Sequence, residues 1–219
     1  EGINYEGEEP VSKYVAEYDQ KNNLLEESKY TPYRDRDELR YQLEYRHGYA
    51  YDLKKNLIEE TRYSSDGALE YRYRYEYDGN DNLVAAISHG DDNAVLSRYE
   101  ARYDHRNNLV ESKKYDKDGK MTFWHTAEYD VANHLIREKN LLDDKIKVVY
   151  EAAYDAKGNL LEETHLGEDG LGGTGLDYRY SYCYDSRNNR KEETYHVFFS
   201  EVNQWKPISR QTNEISYKP

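Results

Sequence analysis

Seven of the chain's Tyr-Asp pairs recur at near-constant spacing, and that recurrence limits the possible folds more than any other feature. The pairs are Tyr18-Asp19, Tyr51-Asp52, Tyr77-Asp78, Tyr103-Asp104, Tyr129-Asp130, Tyr154-Asp155 and Tyr184-Asp185, separated by 33, 26, 26, 26, 25 and 30 residues. The residues just after each pair share a pattern. Asn22-Asn23-Leu24, Asp81-Asn82-Leu83, Asn107-Asn108-Leu109 and Gly158-Asn159-Leu160 occupy equivalent places. A second turn signal stands midway, at Ser65-Asp66-Gly67, Asp91-Asp92-Asn93 and Lys117-Asp118-Gly119. A fixed period of this length marks a repeat architecture in which each copy is one supersecondary unit.

Each unit reads as strand, turn, strand, turn. Asp opening the turn suits type I geometry, because its carboxylate accepts the turn's own backbone N–H groups. Three residues later stands Asn22, Asn107, Asn133, Gly158 or Asn188, and Asn and Gly tolerate the left-handed seat that a type I turn with a G1 bulge requires. This geometry pairs Tyr18 with Leu24. In mid-unit it pairs Tyr63 with Leu69, His89 with Val95 and Tyr115 with Met121. The one short unit, 25 residues long, is explained by a two-residue turn at Asp143-Asp144 that pairs Leu141 with Ile146. Between turns the chain alternates with period two. Leu69, Tyr71, Tyr73, Tyr75 and Tyr77 share one face, against Glu70, Arg72, Arg74 and Glu76 on the other.

The expectation is an all-β fold: a single antiparallel up-and-down meander of about fifteen strands, built from tandem hairpin repeats of roughly 26 residues. Twist should coil it into a spiralling sheet or partial barrel. It forms one domain over 1–219, with 1–12 as an N-terminal cap or frayed end and 197–219 as an irregular C-terminal hairpin. Tyr30 to Tyr51 should be a long hairpin with its loop near Thr31–Asp37. Gly167–Gly175 reads as a glycine-rich loop extension, and Tyr217 falls where a further repeat tyrosine belongs.

Composition then narrows the function. There are 26 tyrosines against three Phe, two Trp and one Met, so tyrosine rings must supply much of the buried area, each with a polar tip that seeks a partner. A formal charge of −13 argues against nucleic acid and against anionic membrane as partners. No apolar run approaches the ~18 residues of a membrane span. The lone Cys183 excludes an internal disulfide. The chain opens on Glu1, which fits a trimmed or processed N-terminus.

The repeated Tyr-Asp…Asn-Leu…Glu…Tyr…Asp-Gly pattern, over roughly residues 14 to 196, resembles the YD repeat of bacterial Rhs proteins, insecticidal toxin-complex components and teneurins. The resemblance implies a hairpin ladder that spirals into a hollow shell in the large members. It does not extend to an encapsulated effector, for which this chain is too short. The chain looks more like the short stand-alone YD-repeat proteins of bacterial envelopes, which implies a secreted, periplasmic or cell-surface location.

Two features are candidates for binding. Glu26, Glu59, Glu111, Glu162 and Glu192 recur two residues beyond the leucine position. By period-two alternation from the leucine position they are expected on the tyrosine face, with Glu59 across from Tyr73. Two readings are open: a carboxylate line in a tyrosine-lined groove gripping a cationic or sugar ligand, or a structural ladder bonded to tyrosine hydroxyls and arginines such as Arg137. Trp124 falls on the other face between Thr122 and Thr126, as a sugar-stacking platform or as local packing or a subunit interface. The candidate ligand contacts are therefore Trp124, Tyr73, Glu59 and Glu111.

Catalysis has little support. Glutamates two strands apart stand about 9.5 Å apart, within the range a glycosidase pair tolerates, but nothing marks one as acid and the other as base. The seven histidines show no metal-ligand spacing, and a calcium loop begun at Asp116 would need an acidic residue where Ala127 stands. No cofactor or metal is expected. The leading expectation is a non-catalytic secreted or cell-envelope protein serving as scaffold and binding surface for carbohydrate or another protein. The alternatives are a glycoside-active enzyme and a structural fragment of an Rhs-like shell.

Overall fold

The computed structural model describes residues 2–6, 9–142, 145–167 and 177–213. Among the described residues sixteen strands in chain order form one antiparallel sheet, each beside its sequence neighbours from β1 to β16, and β16 does not pair with β1. The expected meander is thus present, with one strand more than counted and no closure into a barrel. The extra strand is β1 (Gly2–Glu6), in the segment expected as a cap. The Asp143-Asp144 turn, the glycine-rich stretch at 168–176 and Tyr217 lie outside the described residues.

The chain falls into two compact units, residues 1–101 with 114–120 and residues 102–113 with 121–219. The first contains β2 (Glu9–Tyr18), β3 (Leu24–Asp35), β4 (Glu38–Tyr51), β5 (Leu57–Ser64), β6 (Leu69–Tyr77) and β7 (Leu83–His89). After β8 (Val95–Tyr103) and β9 (Leu109–Asp116), the second contains β10 (Met121–Tyr129), β11 (Leu135–Leu142), β12 (Lys145–Tyr154), β13 (Leu160–Leu166), β14 (Tyr178–Tyr184), β15 (Arg190–Phe199) and β16 (Gln204–Thr212).

The repeat turns form as expected. At Asp104, the Asn107 N–H donates to the Asp104 carbonyl (3.1 Å) and the Asp104 N–H to the Asn108 carbonyl (2.9 Å). The carboxylate accepts from the Arg106 and Asn108 N–H groups at 2.8 and 3.0 Å, and the Asn108 side chain reaches its second oxygen at 2.9 Å. Asn107 sits at φ 65° and Gly158 at φ 85°. Asp81 and Lys55 hold the same left-handed seat at φ 67° and 75°, and at Lys55 the turn imposes the conformation on a residue that does not favour it. The long hairpin turns at Arg36-Asp37, both left-handed, as a two-residue hairpin turn requires.

One consequence of the bulge corrects the expected register. Tyr63 pairs with Leu69, but the next pair is Arg62 with Tyr71, leaving Glu70 as an extra residue. Tyr51 likewise pairs with Leu57, and the next pair is Ala50 with Glu59. A one-residue slip moves every later side chain to the other face. Glu59 therefore stands opposite Ala50 and Arg74, and Glu60 stands opposite Tyr49 and Tyr73.

Each unit consequently has two chemically distinct faces. In the first, the tyrosine face presents Tyr45, His47, Tyr49, Glu60, Tyr71, Tyr73 and Tyr75, while Arg46, Glu59, Arg72 and Arg74 lie behind it. In the second, Tyr150, Glu163, His165, Tyr178 and Tyr180 oppose Arg137, Glu151, Glu162 and Arg179. Among the described residues a single 3-10 turn at Ser200–Val202 is the one helical element. The buried side chains are small: Ala101, Ala127 and Val197, with Ser12, Ser28, Thr61, Ser88 and Ser112. Most of the described tyrosines are half-buried, while Tyr5, Tyr18, Tyr33 and Tyr73 are exposed.

Candidate functional site

The recurring glutamates two residues past the leucine form an ion-pair ladder on the face away from the tyrosines. Glu59 accepts from Arg74 at 2.9 Å and has Arg72 at 4.0 Å. Arg46 lies 3.7 Å from Glu26, Arg179 lies 3.5 Å from Glu162, and Arg210 pairs with Glu192. The placement of Glu59 across from Tyr73 is therefore corrected, and so is the tyrosine-lined groove for this row. The ladder reading stands, with arginine rather than tyrosine as partner.

Glu111 is the member of the row with different company. Its carboxylate accepts from the Trp124 indole N–H at 2.9 Å, from Arg102 at 2.8 Å and from Lys113 at 3.0 Å. The Lys113 ammonium also lies 5.5 Å from the centre of the Trp124 ring. Lys113 above all, with Arg102 and the indole N–H, holds the Glu111 carboxyl below the usual glutamate range against the opposing effect of burial. The bulge that displaced the row thus brings together Glu111 and Trp124, which the sequence assigned to opposite faces. The indole is half-buried and its edge is fixed.

Tyr73 lies on the tyrosine face, more exposed than its neighbours at 37%. Its ring is edge-on to Tyr71 (5.4 Å, 70°) and parallel to Tyr75 (6.2 Å, 11°). Beside it is a residue that sequence reasoning does not single out. Glu60 faces His47 at 3.8 Å and the hydroxyls of Tyr71 and Tyr75 at 3.4 and 3.5 Å. In the second unit Glu163 accepts from Tyr182 at 2.6 Å and has His165 at 3.7 Å. The signal is present in the doublets Glu26-Glu27, Glu59-Glu60, Glu162-Glu163 and Glu192-Glu193, whose members point to opposite faces. Burial, followed by Glu60 and Glu27, pushes the Tyr49 hydroxyl up to about 12.

The ion-pair face of the second unit also holds a groove of about 360 Å³ lined by Glu128, Arg137, Glu151, Glu162 and Thr164. Its carboxylates are spoken for: Arg137 lies 3.1 Å from Glu151 and 3.6 Å from Glu128. Cys183 is exposed on this face, opposite the tyrosines as expected.

No family model matches the sequence, and no curated protein matches it. Among solved structures, the chain is similar to the crystal structure of TcdB2-TccC3-Cdc42, at 15% identity and a TM-score of 0.41, covering 89% of this chain and 11% of that one. It is similar to a porin-like protein from Bacteroides uniformis, at 12% identity and a TM-score of 0.38, covering 95% of this chain and 92% of that one. The Photorhabdus luminescens Tc holotoxin pore gives 15% identity and a TM-score of 0.39 over 85% of this chain and 11% of that one. The chain thus spans about a tenth of the toxin chains it matches.

Proposed function

We propose that this chain is a non-catalytic structural repeat protein of the YD type, secreted or held at a bacterial cell envelope, and that the Trp124 cluster is its contact for carbohydrate. The observation that carries the binding reading is the fixing of Trp124 by Glu111. An indole oriented in advance loses little freedom when a sugar ring stacks on it. Glu111, with Arg102 bonded to it, stands at the indole edge and Lys113 lies over a ring face, donors and acceptors of the kind that sugar hydroxyls take up. The absence of a catalytic role is supported by the carboxylates. Among the described residues those displaced from their ordinary range are displaced downward, as at Glu44, Glu111 and Glu192, where basic partners favour the charged form, whereas a glycosidase acid has its pKa raised.

The test is a glycan-array screen of the purified protein beside Trp124→Ala and Tyr73→Ala. Binding that is lost in Trp124→Ala and kept in Tyr73→Ala supports the proposal. Binding indifferent to Trp124, or no binding to any glycan, overturns it.

A further inference from the structure

The tyrosine face of the first unit carries a second arrangement, independent of Trp124. Glu60 is the centre of a grid. Tyr49 and Tyr73 stand directly across from it on the two neighbouring strands, and His47, Tyr71 and Tyr75 occupy positions diagonal to it. Its side chain is 23% exposed. Arg62, two residues along the same strand, is engaged elsewhere, on Glu70 and over the Tyr45 ring at 4.4 Å. Glu27 lies opposite His47 and adds a second negative charge to the same patch.

What such a grid accepts is shown by the fold's own side chains. Lys29 lies 2.9 Å from Glu44 and 5.8 Å from the Tyr45 ring. Arg98 lies 3.3 Å from Glu100 and 4.4 Å from the Tyr115 ring. Lys113 lies between Glu111 and Trp124. Three times a cation sits between a carboxylate and an aromatic face. At Glu60 the carboxylate and the rings are assembled, and the basic partner is the His47 imidazole at 3.8 Å. From this geometry we propose that the Glu60 grid is a binding site for a small quaternary ammonium group.

The hydrogen bonds indicate the class. Tyr71 donates to one oxygen of Glu60 and Tyr75 to the other, so the carboxylate offers charge more than free lone pairs. A guest that needs charge and ring faces, but has no N–H to satisfy, is a quaternary ammonium, for which aromatic enclosures are well suited. Burial above all pushes the hydroxyl of Tyr49 up to about 12, so this ring stays uncharged across the neutral range.

The experiment titrates the full chain with choline chloride and, separately, with 3,3-dimethylbutan-1-ol, its uncharged isostere, following the tyrosine ring resonances by NMR. The expected result is saturable shifts at Tyr71, Tyr73 and Tyr75 with choline and none with the alcohol. Glu60→Gln, which removes the carboxylate charge, should weaken choline binding by about tenfold. Tyr73→Leu, which removes a ring without removing a hydrogen bond to Glu60, should weaken it similarly. Trp124→Ala should leave it unchanged, which separates this site from the carbohydrate reading. No saturable binding, equal binding of the alcohol, or indifference to Glu60→Gln in a folded variant overturns the proposal.

Discussion

The indole N–H of Trp124 donates to the Glu111 carboxylate at 2.9 Å, tying β10 to β9 on the face away from the tyrosines. Because Lys113, Arg102 and this indole hold the Glu111 pKa below the usual range, the cluster has a predictable acid response. A carboxyl depressed by folding contributes stability that is present above its unfolded pKa and is lost as pH falls through its folded pKa. Tryptophan emission should therefore change in acid below the ordinary glutamate range. The change should vanish in Glu111→Gln, with Trp205→Phe as background to isolate Trp124. Emission that is flat with pH in the wild type would contradict the assignment.

The turn carboxylates make a parallel prediction for the whole chain. Asp78, Asp104 and Asp155 are each held below the ordinary aspartate range, first by the side-chain amide of Asn82, Asn108 or Asn159 and then by that residue's backbone N–H. The sign is the same as for Glu111. Melting temperature should hold between neutral pH and the ordinary aspartate range, then fall as pH drops further. Asp104→Asn should flatten part of that fall, and calorimetry across the acid range reads both.

Replacing Gly158 with Val should destabilise through the left-handed seat. Gly158 sits at φ +85°, and a Cβ there would also meet His134 at 3.0 Å. A left-handed β-branched residue costs about 1–2 kcal/mol or more, which lowers the melting temperature by several degrees in a chain of this size. Gly79→Ala is the control, since nothing lies within 4 Å and its φ is not left-handed. Equal melting temperatures for the two variants would count against the turn assignment.

Gly48 is required for a different reason. A Cβ at Gly48 would lie 2.8 Å from the Thr61 hydroxyl directly across the pair, and Thr61 is buried. Gly48→Ala should cost about 1–3 kcal/mol by overpacking. Adding Thr61→Ala should recover most of the loss in denaturant unfolding. Additive losses in the double variant would refute the contact.

The Tyr-Asp spacing makes the meander, the turn chemistry and the left-handed positions legible, because each arises from local rules applied to Asp19, Asn22 or Gly158. The choice of face is not legible by the same route. Glu59 and Glu60 are adjacent and both recur along the chain, so periodicity alone favours neither. Only the extra residue of the bulge decides, and it acts on every residue beyond Tyr63. The same slip explains why Glu111 and Trp124, assigned to opposite faces, are bonded, and why periodicity does not reveal the Glu60 grid.

A one-residue bulge at each turn sends the Glu59 row to the arginines and the Glu60 row to the tyrosines, and the site assignments on both faces depend on it. Cross-strand nuclear Overhauser contacts in the β5–β6 pair test it most directly. Bulged pairing predicts backbone contacts joining Glu59 to Arg74 and Glu60 to Tyr73. Contacts joining Glu59 to Tyr73 as direct partners would restore the unbulged register and return the glutamate ladder to the tyrosine face.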